Sequence, residues 1–184
     1  MLSKMSAMRR WFPDEINNPL WYVIGRTMNN CKYYYKNYYD TETFDADEVY
    51  PGIYVGDWNA SLNKEKLKEH GITNILSIVN GCARNYPTDF NYELIHVNDD
   101  DWVNISAHFD RSVRFIKNSV DNGEKILVHC SRGMSRSVSL VIAYMMDEKK
   151  MTYEDALAEI KSKRLCANPN AGFETQLREH YQNS

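Results

Sequence analysis

The chain has 184 residues, of which 43% are hydrophobic and 26% charged, enough apolar sequence for one globular domain to bury its own core. Its net charge of −3 provides no general attraction to nucleic acid or to an anionic membrane, and no apolar run is long enough to span a bilayer. The cysteines, Cys31, Cys82, Cys130 and Cys166, show neither paired nor metal-ligand spacing. We therefore expect no metal site, no membrane association and a reducing location, the cytoplasm with access to the nucleus.

Residues 1–42 are predicted to form an N-terminal extension that differs in character from a domain at 43–184. Residues 1–39 contain six Lys and Arg against two acidic residues, and residues 32–39 combine two lysines with five tyrosines. Tyrosine and lysine together can contact nucleic acid through stacking and phosphate pairing. Aromatic residues are also enriched at protein interfaces, so we predict instead that the extension packs against the domain or forms a homodimer contact.

Short apolar segments predict the strands of the domain. They lie near 53–56, 73–79, 92–97 and 125–129. Between the first two strands, residues 57–70 form a stretch of helical character that is rich in Lys and Glu. The alternation of strands with helices predicts an α/β fold, in which a central, mostly parallel sheet has helices on both faces.

Two segments in the second half of the domain have clear helical patterns. Apolar residues recur at helical spacing over 105–120, and an Asn-Gly pair at 122–123 would end that helix. A second pattern covers 153–160, and Thr152 can form a capping pair with Asp155 at its start.

The most informative segment is His129–Ser137, with the sequence HCSRGMSRS, which joins a strand-like run at 125–128 to an apolar, helical run at 138–146. Where a strand leads through a tight loop into a helix, backbone N–H groups converge at the helix N-terminus and the helix dipole favours an anion there. We therefore predict a phosphate-binding loop. Its members are Ser131, Arg132, Gly133, Met134, Ser135 and Arg136.

The residue types in this loop predict nucleophilic catalysis on a phosphate ester. A cysteine at a helix N-terminus beside a cation has a lowered pKa, so Cys130 is expected to be a thiolate. Arg136 provides a planar fork for two phosphate oxygens, Gly133 allows close approach of the backbone, and the Ser137 hydroxyl donates to the thiolate. We expect His129 to be a structural hydrogen-bonding residue, since a thiolate that is already formed needs no base. The less favoured alternative is an inert buried cysteine at a strand end.

This loop resembles the His-Cys-five-residues-Arg-Ser loop of the cysteine-based protein phosphatases, and the domain resembles their small dual-specificity members. Segment 48–56 is similar to the first strand of that family, 71–79 to its next strand, and 168–177 to the segment that opens its last helix. The resemblance runs from about residue 44 to the end of the chain. One departure is Arg132, where many members have a small residue, and it adds charge at the mouth of the site.

The resemblance implies further site residues outside the loop. The family takes the proton for the leaving group from an aspartate on a separate loop, and the family pattern puts this general acid at Asp99. Asp100 and Asp101 are the alternatives, interpreted as exposed carboxylates or as a helix N-terminal charge. Asn170 matches a supporting position. Cys82 resembles a cysteine of the lipid-phosphatase branch that captures the oxidised nucleophile as a disulfide, the alternative being a small buried residue.

By this resemblance, the chain is expected to be a protein phosphatase that needs no cofactor. It would act through a phosphocysteine intermediate on phosphotyrosine and on phosphoserine or phosphothreonine in proteins. Residues 57–70 leave no room for the long recognition loop that deepens tyrosine-specific sites, so we expect a shallow pocket. The alternatives are an RNA 5′-triphosphatase, a phosphatase of lipid or carbohydrate phosphates, and a pseudophosphatase that binds phosphoproteins without hydrolysing them.

Overall fold

The computed structural model describes residues 44–181. These residues form five strands: β1 Ala46–Tyr50, β2 Ile53–Gly56, β3 Ile72–Ile78, β4 Asn91–Ile95 and β5 Lys125–His129. Within the same range there are six α-helices: α1 Trp58–Leu62, α2 Lys64–Glu69, α3 Phe109–Asp121, α4 Arg136–Glu148, α5 Tyr153–Lys163 and α6 Ala171–Tyr181. None of these helices has the length and apolar character needed to cross a bilayer. The predicted extension at 1–42, with the homodimer contact assigned to it, lies outside the described residues.

The five described strands belong to one sheet, in the order β1-β2-β5-β3-β4. β1 runs antiparallel to β2, and every other neighbouring pair is parallel. Because side chains alternate between the faces of a sheet, β5 places Ile126 and Val128 on one face and Leu127 on the other. The first face packs against α3, α4, α5 and α6, and the second against Ala60 of α1 and Leu67 of α2. The predicted α/β fold with helices on both faces is confirmed.

The segment 48–56, which resembles a single first strand, is divided between β1 and β2. A turn at Pro51 and Gly52 separates these two antiparallel strands, and Gly52 has a φ of +78°. Glu48 supports the turn, since its side chain accepts a hydrogen bond from the backbone N–H of Gly52 at 2.9 Å. The strand predicted near 53–56 is confirmed as β2, whereas the segment 48–56 also takes in part of β1 and the turn, where the positive φ of Gly52 interrupts the extended backbone.

The helix predicted over 105–120 begins differently from the expectation and ends where it was expected. Its first turn is a 3-10 helix at Ser106–His108, and α3 follows directly. Gly123, with a φ of +70°, follows the C-cap residue and ends the helix. At α5, the Thr152 hydroxyl accepts the backbone N–H of Asp155 at 3.1 Å, so the predicted capping pair is confirmed.

The sheet brings the ends of its parallel strands to one edge. Because β2, β5, β3 and β4 are mutually parallel neighbours, their carboxyl ends lie side by side. The loop that contains Cys130 leaves β5 at this edge, and the segment that contains Asp99 leaves β4 there. The carboxyl edge of a parallel sheet is where such folds bind ligands.

Candidate active site

The segment between β5 and α4 forms a tight loop, residues 130–135. Gly133 has a φ of +64°, a left-handed value that favours glycine. A Cβ atom at this position would lie 2.5 Å from the carbonyl oxygen of Gly56 and 2.6 Å from the guanidinium of Arg164. The loop therefore closes against β2 only with glycine here, in agreement with the close backbone approach predicted for Gly133.

The Sγ atom of Cys130 is buried under this loop. It accepts hydrogen bonds from the backbone N–H of Gly133 at 3.2 Å and from the hydroxyl of Ser137 at 3.4 Å. Burial alone would raise the pKa of the Cys130 thiol, but the positive charge of Arg136 and the hydrogen bonds of Ser137 and the loop backbone outweigh it. The pKa of Cys130 is thus lowered, which favours the nucleophilic thiolate.

Arg136 is the first residue of α4 and is only 8% exposed. Its Nη1 donates to the carbonyl oxygen of Val97 at 3.0 Å, and its Nη2 donates to the Ser131 hydroxyl at 3.0 Å. The Nε atom is buried without a hydrogen-bond partner among residues 44–181, and it lies 3.6 Å from Oδ2 of Asp99. A buried, charged N–H group that lacks a hydrogen-bond partner is suited to bind an anion.

Asp99 reaches the loop from the segment that follows β4. Its Oδ1 accepts hydrogen bonds from the Ser135 hydroxyl at 2.6 Å and from Nδ2 of Asn170 at 2.9 Å. Asn170 also caps α6, because its Oδ1 accepts the backbone N–H of Phe173 at 2.9 Å. The Ser135 hydroxyl in turn accepts the backbone N–H of Asn170 at 3.1 Å. Two segments that are distant from Asp99 in sequence, the loop and the start of α6, therefore hold this carboxylate in place.

The two neighbouring aspartates have different surroundings. The carbonyl oxygen of Asp100 accepts the backbone N–H of Val103, and the backbone of Asp101 packs so closely on Gly172 that a Cβ atom would not fit there. Within residues 44–181, neither carboxylate makes a hydrogen bond or an ion pair. The geometry therefore favours Asp99 over both alternatives as the acid that faces the loop.

His129 is buried at the end of β5 and makes the kind of contacts expected of a structural residue. Its Nε2 lies 2.7 Å from the Ser77 hydroxyl, and its Nδ1 lies 3.4 Å from the carbonyl oxygen of Cys130. Burial lowers the pKa of His129 to about 4. The ring is therefore neutral at neutral pH and ties β5 to β3.

The remaining predicted site residues are Arg132 and Met134, which belong to the loop, and Cys82, which follows β3. Arg132 is exposed and Met134 is half-buried. Cys82 is buried after β3, and its Sγ lies 3.8 Å from Nδ1 of His96. Burial raises the pKa of the Cys82 thiol, although the charge of Arg136, which also acts on the nucleophilic cysteine, opposes this increase.

One residue that contacts the loop was missed in the sequence. Arg164, which follows α5, is 2% exposed and donates hydrogen bonds to the carbonyl oxygens of Arg132 and Gly133. It also pairs with Asp45 and Asp47, which are 119 and 117 residues away in the chain. Lysines at 161 and 163 make its local sequence look like an ordinary charged helix end, so no local signal indicated these contacts.

Comparison with known proteins finds dual-specificity phosphatases both among family models and among individual relatives. Residues 53–183 match the family described as "Dual specificity phosphatase, catalytic domain". The chain is 41% identical over 128 residues to dual specificity protein phosphatase 1 of Arabidopsis thaliana, covering 70% of this chain and 65% of that protein. It is also 41% identical over 133 residues to dual specificity protein phosphatase 22 of Homo sapiens, covering 72% of each chain.

Solved structures share the fold. The human tyrosine phosphatase-like serine/threonine/tyrosine-interacting protein superimposes with a TM-score of 0.73 at 34% identity, covering 77% of this chain and 98% of that one. The structure of DUSP15 superimposes with a TM-score of 0.71 at 36% identity, covering 74% of this chain and 87% of that one.

Proposed function

The chain belongs to the dual-specificity phosphatase family, and from this membership we propose that it hydrolyses phosphotyrosine, phosphoserine and phosphothreonine in proteins through a phosphocysteine intermediate. The observation that carries the proposal is the meeting of three groups at one loop. They are the Cys130 thiol with its lowered pKa, the buried guanidinium of Arg136, and the carboxyl group of Asp99. Together they supply a nucleophile, an anion-binding group and a proton donor.

In the first step, the Cys130 thiolate attacks the phosphorus atom while the bond to the leaving oxygen breaks. The new bond joins sulfur to phosphorus, and protonated Asp99 transfers its proton to the leaving alkoxide or phenolate. Arg136 and the backbone N–H groups of the loop stabilise the charge on the three equatorial oxygens of the transition state.

In the second step, water hydrolyses the phosphocysteine. Asp99, now a carboxylate, takes a proton from the water as its oxygen attacks phosphorus, and the sulfur–phosphorus bond breaks. Cys130 leaves as a thiolate, which the Ser137 hydroxyl stabilises through the hydrogen bond seen at 3.4 Å. The enzyme returns to its starting protonation state, and inorganic phosphate is released.

The chain between β2 and β3 supports a broad substrate range. It consists largely of two short helices, α1 and α2, and leaves no room for the long loop that makes a pocket deep enough to exclude phosphoserine. A shallow pocket admits both aryl and alkyl phosphate esters. Trp102, which is 84% exposed in the segment after Asp99, is available to contact the ring of a phosphotyrosine.

A substrate panel assayed on the purified full-length chain tests the proposal. We expect the phosphotyrosine peptide to be hydrolysed fastest, because phenolate is the better leaving group, and phosphothreonine and phosphoserine peptides to be hydrolysed measurably. The panel should also contain phosphoinositides and 5′-triphosphorylated RNA. EDTA should leave the rates unchanged, since residues 44–181 contain no group of His, Cys, Asp or Glu able to hold a metal ion.

Two outcomes of this panel would overturn the proposal. Negligible hydrolysis of every phosphopeptide together with efficient phosphate release from the RNA would identify an RNA 5′-triphosphatase, and exposed Arg132 would then be the informative feature. Binding of phosphopeptides without turnover of any substrate would identify a pseudophosphatase. The presence of Cys130, Arg136 and Asp99 at one site argues against that second outcome.

We further propose that Cys82 protects the nucleophile from irreversible oxidation. Peroxide would convert the Cys130 thiolate to a sulfenic acid, and the Cys82 thiol would attack that sulfur, releasing water and forming a disulfide. The positive charge of Arg136 acts to lower the pKa of both thiols, which indicates that both lie near this guanidinium. In the cytoplasm or nucleus, where we propose that the protein acts, cellular thiols would then reduce the disulfide.

Peptide mapping after mild peroxide treatment is expected to find a Cys82–Cys130 linkage in the wild-type protein. The Cys82→Ser variant should instead accumulate sulfinic and sulfonic acid at Cys130 and recover less activity after reduction. Cys166→Ser, which changes a half-buried cysteine that does not belong to the loop 130–135, is the matched control and should behave as wild type. A wild-type digest without the Cys82–Cys130 peptide would refute the protective role.

A further inference from the structure

The carbonyl groups of the phosphate-binding loop are held from outside the loop. Four successive carbonyl oxygens, those of residues 131–134, accept hydrogen bonds from elsewhere in the chain. The first accepts the backbone N–H of Trp58 at 3.3 Å, and the last accepts the backbone N–H of Asn168 at 2.8 Å. The two in the middle both bind the guanidinium of Arg164.

These outer contacts determine the direction of the inner N–H groups, because a carbonyl and the N–H of the same trans peptide point in opposite directions. Arg164 Nη2 holds the carbonyl oxygen of Arg132 at 3.2 Å, so the N–H of Gly133 points inward, where it donates to Cys130 Sγ. Arg164 Nε holds the carbonyl oxygen of Gly133 at 2.7 Å, which turns the N–H of Met134 inward as well. Convergent N–H groups of this kind bind phosphate oxygens.

The other side of the guanidinium is neutralised by two carboxylates. Nη1 of Arg164 donates to Asp45 at 2.8 Å and to Asp47 at 2.7 Å, and a guanidinium that is 2% exposed requires such partners. The carbonyl oxygen of Asp45 also accepts the backbone N–H of Asp57 at 3.0 Å, at the junction of β2 and α1. Arg164 is thus fixed between the edge of the sheet and the outer surface of the loop.

We propose that Arg164 is a positioning residue that holds the phosphate-binding loop in its anion-binding conformation without touching the substrate. The inference deepens the proposed function and rests on it, since the orientation of the loop matters only if the loop binds a phosphate. Two carbonyl oxygens and two carboxylates are bound at once by the planar, five-donor fork of one arginine. A lysine ammonium has three donors on a single nitrogen and cannot reproduce this arrangement.

The Arg164→Lys variant of the full chain tests the role of the fork, because it keeps a positive charge near Asp45 and Asp47. We expect its affinity for tungstate, measured by calorimetry, to fall roughly tenfold or more, since charged hydrogen bonds to two loop carbonyls are lost. The reaction of Cys130 with iodoacetamide, followed by mass spectrometry as a function of pH, should show the thiol ionising at higher pH than in the wild type. The second effect follows because the N–H of Gly133 is no longer held toward the sulfur.

Arg178→Lys is the matched control, because Arg178 is also paired with carboxylates, Glu154 and Glu174, but lies on α6 away from the loop. It should keep wild-type tungstate affinity and wild-type ionisation of Cys130. If Arg164→Lys lowers the melting temperature but leaves both measurements at wild-type values, its role is structural only and the proposal is overturned.

A second variant covers the case in which Arg164→Lys does not fold. The triple variant Arg164→Gln, Asp45→Asn, Asp47→Asn replaces the arginine and both of its carboxylate partners with neutral side chains, so no partner of the arginine is left as an unpaired charge, and it should show the same two losses. Wild-type tungstate affinity in this variant would also overturn the proposal. Neither measurement requires turnover. A wild-type protein without phosphatase activity would therefore refute the proposed function, whereas tungstate affinity lost in the position-164 variants would still support the role of Arg164.

Discussion

Replacing Cys130 with serine is expected to lower kcat on a phosphotyrosine peptide by at least about 10⁴-fold, because the reaction loses its nucleophile. A serine hydroxyl would occupy nearly the same space under the loop, but it ionises far above the range of a thiol. The charge of Arg136 and the hydrogen bond from Ser137 lower the pKa of a thiol into the useful range. The same contacts cannot produce an alkoxide from serine at neutral pH.

The same variant should still fold and bind oxyanions. The backbone N–H groups of the loop and the guanidinium of Arg136 do not depend on the sulfur atom, so tungstate affinity should stay within a few-fold of the wild type. Cys166→Ser, the same change at a cysteine that does not belong to the loop 130–135, should leave the kinetics unaffected. Residual activity of Cys130→Ser within tenfold of the wild type would contradict the covalent mechanism.

Features encoded in adjacent residues could be predicted from the sequence. The phosphate-binding loop is a contiguous segment between one strand and one helix, so its geometry follows from local chemistry. The cap at Thr152 and the helix end at Gly123 are also local, since each depends on residues within one helical turn. The arrangement of the parallel strands followed from their alternation with helices.

Features that depend on distant segments could not be predicted from the residues alone. The identity of the acid among three adjacent aspartates is decided by Ser135 and Asn170, which lie 36 and 71 residues away from Asp99. The sequence pointed to Asp99 through a resemblance, whereas the structure provides a physical reason for it. Arg164 was missed for the same cause, because its partners lie at the opposite end of the domain.

The strand β2 was predicted, but the hairpin that it forms with β1 was not, for a different reason. The residues of 48–56 are mostly compatible with an extended strand, and the Pro-Gly pair inside them was not given its weight as a turn signal. The consequence reaches the site, because the hairpin carries Asp45 and Asp47 at one end, where they hold Arg164. A correct interpretation of the turn would have placed two acidic residues next to β2, although not their partner.

Replacing Asp99 with asparagine is expected to slow hydrolysis of phosphopeptides by roughly 10² to 10⁴-fold, the usual contribution of a general acid. Asparagine keeps an oxygen that can accept the hydrogen bonds of Ser135 and Asn170, so the loop should retain its geometry while the proton donor is lost. The measurement is kcat on a phosphotyrosine peptide compared with kcat on an aryl phosphate that has a good leaving group.

The comparison of leaving groups separates acid catalysis from a general disturbance of the site. A nitrophenolate leaves without needing a proton, so Asp99→Asn should slow the aryl phosphate much less than the peptide. Asp101→Asn is the matched control, because Asp101 is exposed and its carboxylate makes no hydrogen bond or ion pair within residues 44–181, and this variant should keep the wild-type rate on both substrates. If Asp101→Asn shows the leaving-group dependence and Asp99→Asn does not, the acid lies two residues further along the chain, and the contacts of Asp99 with Ser135 and Asn170 serve to hold the loop.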